Sequence, residues 1–176
     1  KGKDEYFGIW TKEEGPPFVI KIDMTSSQYQ TMFNALKGKG FRLTHVSGFA
    51  SGGIAKYAAI WEKKTGPSYV AKHNMSGTKL QNEFNKLKSR GYRPVHINGY
   101  SVARKPRFAA IWEKSQGPLY EMKHGMSETQ FRKKRINMRK AGFELTGASG
   151  YEQSGKPRFV ALWEKSAEPT NGFTLT

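Results

Sequence analysis

Apolar and polar positions follow one another along this chain in an order that comes back three times. A short aromatic and aliphatic run opens each round: Phe18-Val19-Ile20-Lys21-Ile22, then Tyr69-Val70-Ala71-Lys72-His73, then Leu119-Tyr120-Glu121-Met122-Lys123. Such runs predict strands. A polar stretch follows with apolar residues at i, i+4 and i+7 (Tyr29, Phe33, Leu36; Leu80, Phe84, Leu87), which predicts a helix with one buried stripe. Thr25-x-x-Gln28 and Ser127-x-x-Gln130 mark its start, where the hydroxyl accepts a free first-turn amide and the glutamine turns back onto the cap. Ser76 with Lys79 keeps half of that box. The helix is expected to stop at Gly40, Gly91 and Gly142, since glycine takes the left-handed capping conformation at little cost.

Residues 42–47, 93–98 and 144–149 predict a second strand. A polar loop then leads to a third, which ends in Trp-Glu-Lys. In Phe108-Ala109-Ala110-Ile111-Trp112 both alternating faces are apolar, so this strand is expected at the centre of its sheet, with layers on each side. The four tryptophans stand at 10, 61, 112 and 163, 51 residues apart each time. That period defines a repeat protein, whose units bury their faces by stacking on neighbours. The units are 15–65, 66–116 and 117–167, each opening on Gly-Pro, with a half-repeat at 1–14 and a tail at 168–176, all in one repeat domain spanning 1–176. The expected fold is α+β: tandem β-α-β-β repeats with one helix each and antiparallel three-stranded meanders that span the unit boundaries. The array is expected as a propeller-like ring or a short open solenoid. Trp10, Trp61, Trp112 and Trp163 are its expected core.

Charge changes the picture more than composition does. Thirty Lys and Arg against fourteen Asp and Glu give +16, with +5, +8 and +5 in the three units and −1 in each of residues 1–14 and 168–176. A polyanion is the partner class that fits such an excess: a mineral such as silica or phosphate, an acidic polysaccharide, nucleic acid or a membrane surface. With no run of about 18 apolar residues, no membrane span is expected. Without cysteine there is no disulfide or thiolate chemistry. The chain opens at Lys1 in the middle of a repeat, which reads as a trimmed product.

Gly91-Tyr92-Arg93-Pro94-Val95-His96-Ile97-Asn98-Gly99-Tyr100, Arg107-Phe108-Ala109-Ala110-Ile111-Trp112-Glu113-Lys114 and Gly66-Pro67-Ser68-Tyr69-Val70-Ala71-Lys72-His73 together carry a resemblance. The chain resembles, over essentially its whole length, the bacterial tandem repeat family, whose units also form the N-terminal region of fungal polyglycine hydrolases. The resemblance implies a fold and an extracellular, secreted setting. In those hydrolases the serine chemistry belongs to a separate β-lactamase-like domain, so no catalytic residue is carried over to these repeats.

The residues themselves offer little catalytic chemistry. Ser76-Gly77-Thr78-Lys79 and Lys64-Thr65-Gly66 match two serine-lactamase motifs, but in reversed order and within repeat turns, where a helix cap and a turn account for them. His45 and His96 are equivalent, as are His73 and His124, yet Gly147 breaks the first series and no cysteine assists, so neither a metal nor another cofactor is expected. Glu62, Glu113 and Glu164 recur once per unit and fit a structural salt bridge. Asn74-Met75-Ser76 is a glycosylation sequon.

Cations gather in the loops Arg104-Lys105-Pro106-Arg107 and Lys156-Pro157-Arg158 and in the helical run Arg132-Lys133-Lys134-Arg135. Cations near a helix C-terminus complement its dipole, whereas the Lys-Pro-Arg loops have no such structural reason. The candidate polyanion-binding residues are therefore Arg104, Lys105, Arg107, Lys156, Arg158, Arg132, Lys133, Lys134 and Arg135. Arg135 also stands where Phe33 and Phe84 hold the apolar stripe, so the third helix either turns to bury Ile136 and Met138 or leaves its face open. The reading is a non-enzymatic extracellular scaffold or binding protein that presents a repeated cationic surface to a mineral or acidic glycan matrix, with homo-assembly as a further expectation. A substrate-positioning accessory domain of a secreted serine hydrolase is the alternative. Nonspecific nucleic-acid binding ranks last, because no recognition motif or exposed stacking platform supports it.

Overall fold

The computed structural model describes residue 12 and residues 14–166. Trp10, the strand of the half-repeat and the tail strand expected at 173–175 lie outside the described residues. Unit 1 consists of β1 (Phe18–Thr25), α1 (Ser26–Gly38), β2 (Phe41–Ser51) and β3 (Ile54–Lys63). Unit 2 repeats the order as β4 (Tyr69–Met75), α2 (Gly77–Lys88), β5 (Tyr92–Val102) and β6 (Lys105–Lys114). Unit 3 has β7 (Tyr120–Met126), α3 (Glu128–Lys140), β8 (Phe143–Gln153) and β9 (Lys156–Lys165).

Local chemistry sets these boundaries. Thr25 and Ser127 close complete capping boxes with Gln28 and Gln130, and Ser76 accepts only the Lys79 amide. Beyond the helices, Gly40, Gly91 and Gly142 adopt φ of 81°, 78° and 78°, where a side chain would be strained. The expected polar loop before the third strand shrinks to a two-residue hairpin turn. Gly52-Gly53, Ala103-Arg104 and Ser154-Gly155 all have positive φ at both residues, the conformation that matches the twist of the flanking strands. Lys105-Pro106-Arg107 and Lys156-Pro157-Arg158 are consequently the first residues of β6 and β9, not loop.

Each sheet is complete within one unit, in the orders β1-β3-β2, β4-β6-β5 and β7-β9-β8. The expected meanders across unit boundaries do not form, and the reason lies in the central strand. Trp61 of β3 has Val19 opposite on one side and Leu43 on the other, so both hydrogen-bonding edges are taken before the chain reaches the next unit. The Gly-Pro turn therefore carries the chain onto a new sheet. Among the described residues the three sheets form an open series.

The core lies between units more than within them. One cluster joins Trp61, Tyr57 and Tyr29 of unit 1 to Tyr100, Ala109 and Ile111 of unit 2. A second joins Trp112, Phe108 and Leu80 of unit 2 to Tyr151, Val160 and Leu162 of unit 3. The third, around Trp163 and Met138, belongs to unit 3 alone. Every residue from Phe108 to Trp112 is buried, as a strand covered on both faces requires. The indole N–H groups of Trp61, Trp112 and Trp163 have no hydrogen-bond partner, so these side chains act through packing.

Candidate functional site

Two junctions, built alike, hold the surface in place. Arg42 leaves β2, lays its guanidinium 4.6 Å from the centre of the Tyr69 ring and reaches Glu113 at 2.8 Å. Arg93 repeats this from β5, 4.9 Å from the Tyr120 ring centre and 3.0 Å from Glu164. The glycine of each Gly-Pro turn makes room: a Cβ on Gly66 would stand 2.9 Å from Arg42 Cζ, and one on Gly117 would stand 2.8 Å from Arg93 Cζ. The recurring glutamates are thus ion-pair partners across units, while Glu62 pairs locally with Lys64 at 2.6 Å.

Along β2 and β5, backbone groups on the sheet edge are closed by side chains of the following unit. His96 Nε2 donates to the Val46 carbonyl at 2.8 Å, which sets its tautomer, and the Gly48 N–H donates to Asn98 Oδ1 at 2.8 Å. The Gly99 N–H donates to Ser149 Oγ, which donates in turn to the Gly99 carbonyl, both at 3.0 Å. An otherwise open strand edge invites foreign pairing, and these caps remove the invitation.

The histidines serve the same junctions. His73 Nε2 lies 2.7 Å from Ser26 Oγ, with its ring against Tyr29 and Tyr57. Burial holds His73, His96 and His124 below the usual histidine range, with Lys79, His45 and Lys123 respectively adding to the effect. Among the described residues no three His, Cys, Asp or Glu side chains come together in a way that could hold a metal. Ser76 is the N-cap of α2, and Asn74 sits exposed at φ 52° on the bulge of β4. No described helix is long and apolar enough to cross a membrane.

The candidate cations fall into two groups. Arg104 and Lys105 lie at the tip of the β5–β6 hairpin and Lys156 at the tip of the β8–β9 hairpin, and the tips touch where the Ser154 N–H donates to the Arg104 carbonyl at 3.3 Å. Arg107 and Arg158 turn back, each donating to the carbonyl of the proline before it at 3.0 and 3.2 Å. On α3, Arg132 is paired with Glu128 at 2.8 Å and Lys134 with Glu121. Lys133 and Arg135 are exposed, and among the described residues no carboxylate lies within ion-pair distance of either. Met138 is buried but Ile136 is 52% exposed, so α3 leaves its face open instead of turning.

Sequence reading missed Arg42 and Arg93, which look like solvated cations on a strand. The available signal was their 51-residue spacing in step with the recurring glutamates.

A series of sheet-and-helix units with cores shared between neighbours defines the class of repeat proteins. A family model described as polyglycine hydrolase-like, structural repeat matches residues 15–64, 66–115 and 117–166. The chain belongs to that family.

Proposed function

We propose that the protein is a non-enzymatic, secreted scaffold that holds a polyanionic matrix, a mineral or an acidic glycan, against a repeated cationic rim. The observation that supports this reading is the contact between the hairpin tips of units 2 and 3, which aligns Arg104 and Lys105 with Lys156 in a chain of net charge +16. An open solenoid, rather than a propeller-like ring, suits a partner longer than the protein. The test is salt-dependent retention on heparin, silica and DNA. Arg104 and Lys105 changed together to Ser are expected to elute at lower salt with an unchanged melting temperature. Unchanged elution would remove the rim from the assignment.

The family description favours one second reading, an accessory unit that positions a hydrolase on its substrate. Under it, binding would follow that substrate and not charge density.

A further inference from the structure

Unit 3 carries a groove of about 520 Å³ between β7 and α3, within the range of roughly 300–1,000 Å³ that small-ligand sites occupy. Lys123 and His124 line it from the strand, and Lys133, Lys134 and Asn137 from the helix, with Glu121 at its edge. Lys134 is held by Glu121. Lys123 and Lys133 are exposed, and among the described residues neither has a carboxylate within ion-pair distance. Two unbalanced ammonium groups therefore flank one concavity from two different elements. The burial that disfavours protonation of His124 leaves its ring to act as a hydrogen-bonding group beside them.

Only unit 3 is built this way. Lys21 and Lys72 recur at the Lys123 position, but Thr31 and Met32 in unit 1, and Asn82 and Glu83 in unit 2, stand where unit 3 has Lys133 and Lys134. Shape adds a second constraint. A flat mineral face cannot enter a groove, whereas a pendant group on a flexible chain can.

Resting on the polyanion reading above, we infer that this groove receives an oxyanion group, sulfate or carboxylate, borne by an acidic glycan chain. Lys123 and Lys133 supply charge-assisted hydrogen bonds from opposite walls, and the amide of Asn137 offers a neutral donor.

The protein is titrated with a heparin-derived hexasaccharide and with an unsulfated polyuronate hexasaccharide, and its adsorption to silica is measured at the same ionic strength. The Lys123→Ser/Lys133→Ser double variant is expected to lose at least fivefold in affinity for whichever hexasaccharide binds, with silica adsorption within twofold of the parent. The tighter of the two identifies the group as sulfate or carboxylate. Equal losses on glycan and silica, an unchanged hexasaccharide affinity, or silica adsorption with neither hexasaccharide bound would overturn the groove while leaving the polyanion reading intact. A parent protein that binds none of these anions at low salt would overturn both.

Discussion

Arg93 and Glu144 hold the same position in consecutive units, 51 residues apart. Arg93 is threaded into unit 3, against Tyr120 and Glu164, whereas Glu144 faces solvent. The neighbouring positions diverge in the same sense. Leu43 in β2 is 3% exposed and its counterpart Leu145 in β8 is 40% exposed, while Arg135 replaces the Phe33 and Phe84 that meet Tyr69 and Tyr120. Unit 2 is coded for a neighbour on both sides. Unit 3 lacks that code on its outer face, which teaches that stacking in this protein is written into specific side chains and does not follow from the backbone alone.

The largest break in that comparison is at tryptophan. Trp112→Ala removes a side chain packed by two units and is expected to cost roughly 3–5 kcal/mol in a denaturant melt. Trp163→Ala, in the smaller cluster of unit 3, should cost measurably less, and equal losses would show the units to be energetically alike. Next comes the junction arginine. Arg93→Ala leaves Glu164 without its partner and should cost about 3 kcal/mol, against a change within about 0.5 kcal/mol for Glu144→Ala. A similar cost at both sites would remove the distinction.

A smaller effect is expected at glycine. A Cβ on Gly99 would stand 2.6 Å from the Tyr151 ring, whereas one on Gly150 would stand an ordinary 3.6 Å from Phe159. Gly99→Ala should cost about 1–3 kcal/mol and Gly150→Ala should be near neutral, as read from paired thermal melts.

The smallest effect is acidic destabilisation through the junction histidines. Their folded values lie below the unfolded value of about 6.5, so on acidification the unfolded chain binds protons first. Their contribution is complete above pH of about 6.5 and is lost as pH falls toward the folded values. The melting temperature should decline over that interval, and His96→Gln should flatten the decline. An unaltered slope would leave His96 out of the linkage.

Much of this fold was legible because the repeat supplies its own alignment. Helix caps at Thr25 and Ser127, the stops at Gly40, Gly91 and Gly142, and the central Trp-Glu-Lys strand are all local or periodic signals, and local chemistry decides them. Strand pairing was not legible in the same way, because adjacency in sequence suggested β3 with β4, and only the prior occupation of both β3 edges forbids it. The cations divided similarly. Their presence could be counted, but the loss of Arg132 and Lys134 to Glu128 and Glu121 depends on three-dimensional proximity, as does the return of Arg107 to Pro106. Lys123 went unremarked because a lysine recurring once per unit looks like background, and its meaning depends on what stands opposite on α3.

Each arginine tie runs in one sense along the chain, from Arg42 forward to Glu113 and from Arg93 forward to Glu164, and the caps from Asn98 and Ser149 run back to the unit before. The stack therefore has a head and a tail, like a row of arrows. A polymer with its own chemical direction, laid along it in one orientation or the other, forms two different complexes of unequal energy. The polarity fixed inside the protein is thus available to sort the orientation of whatever lies on its surface.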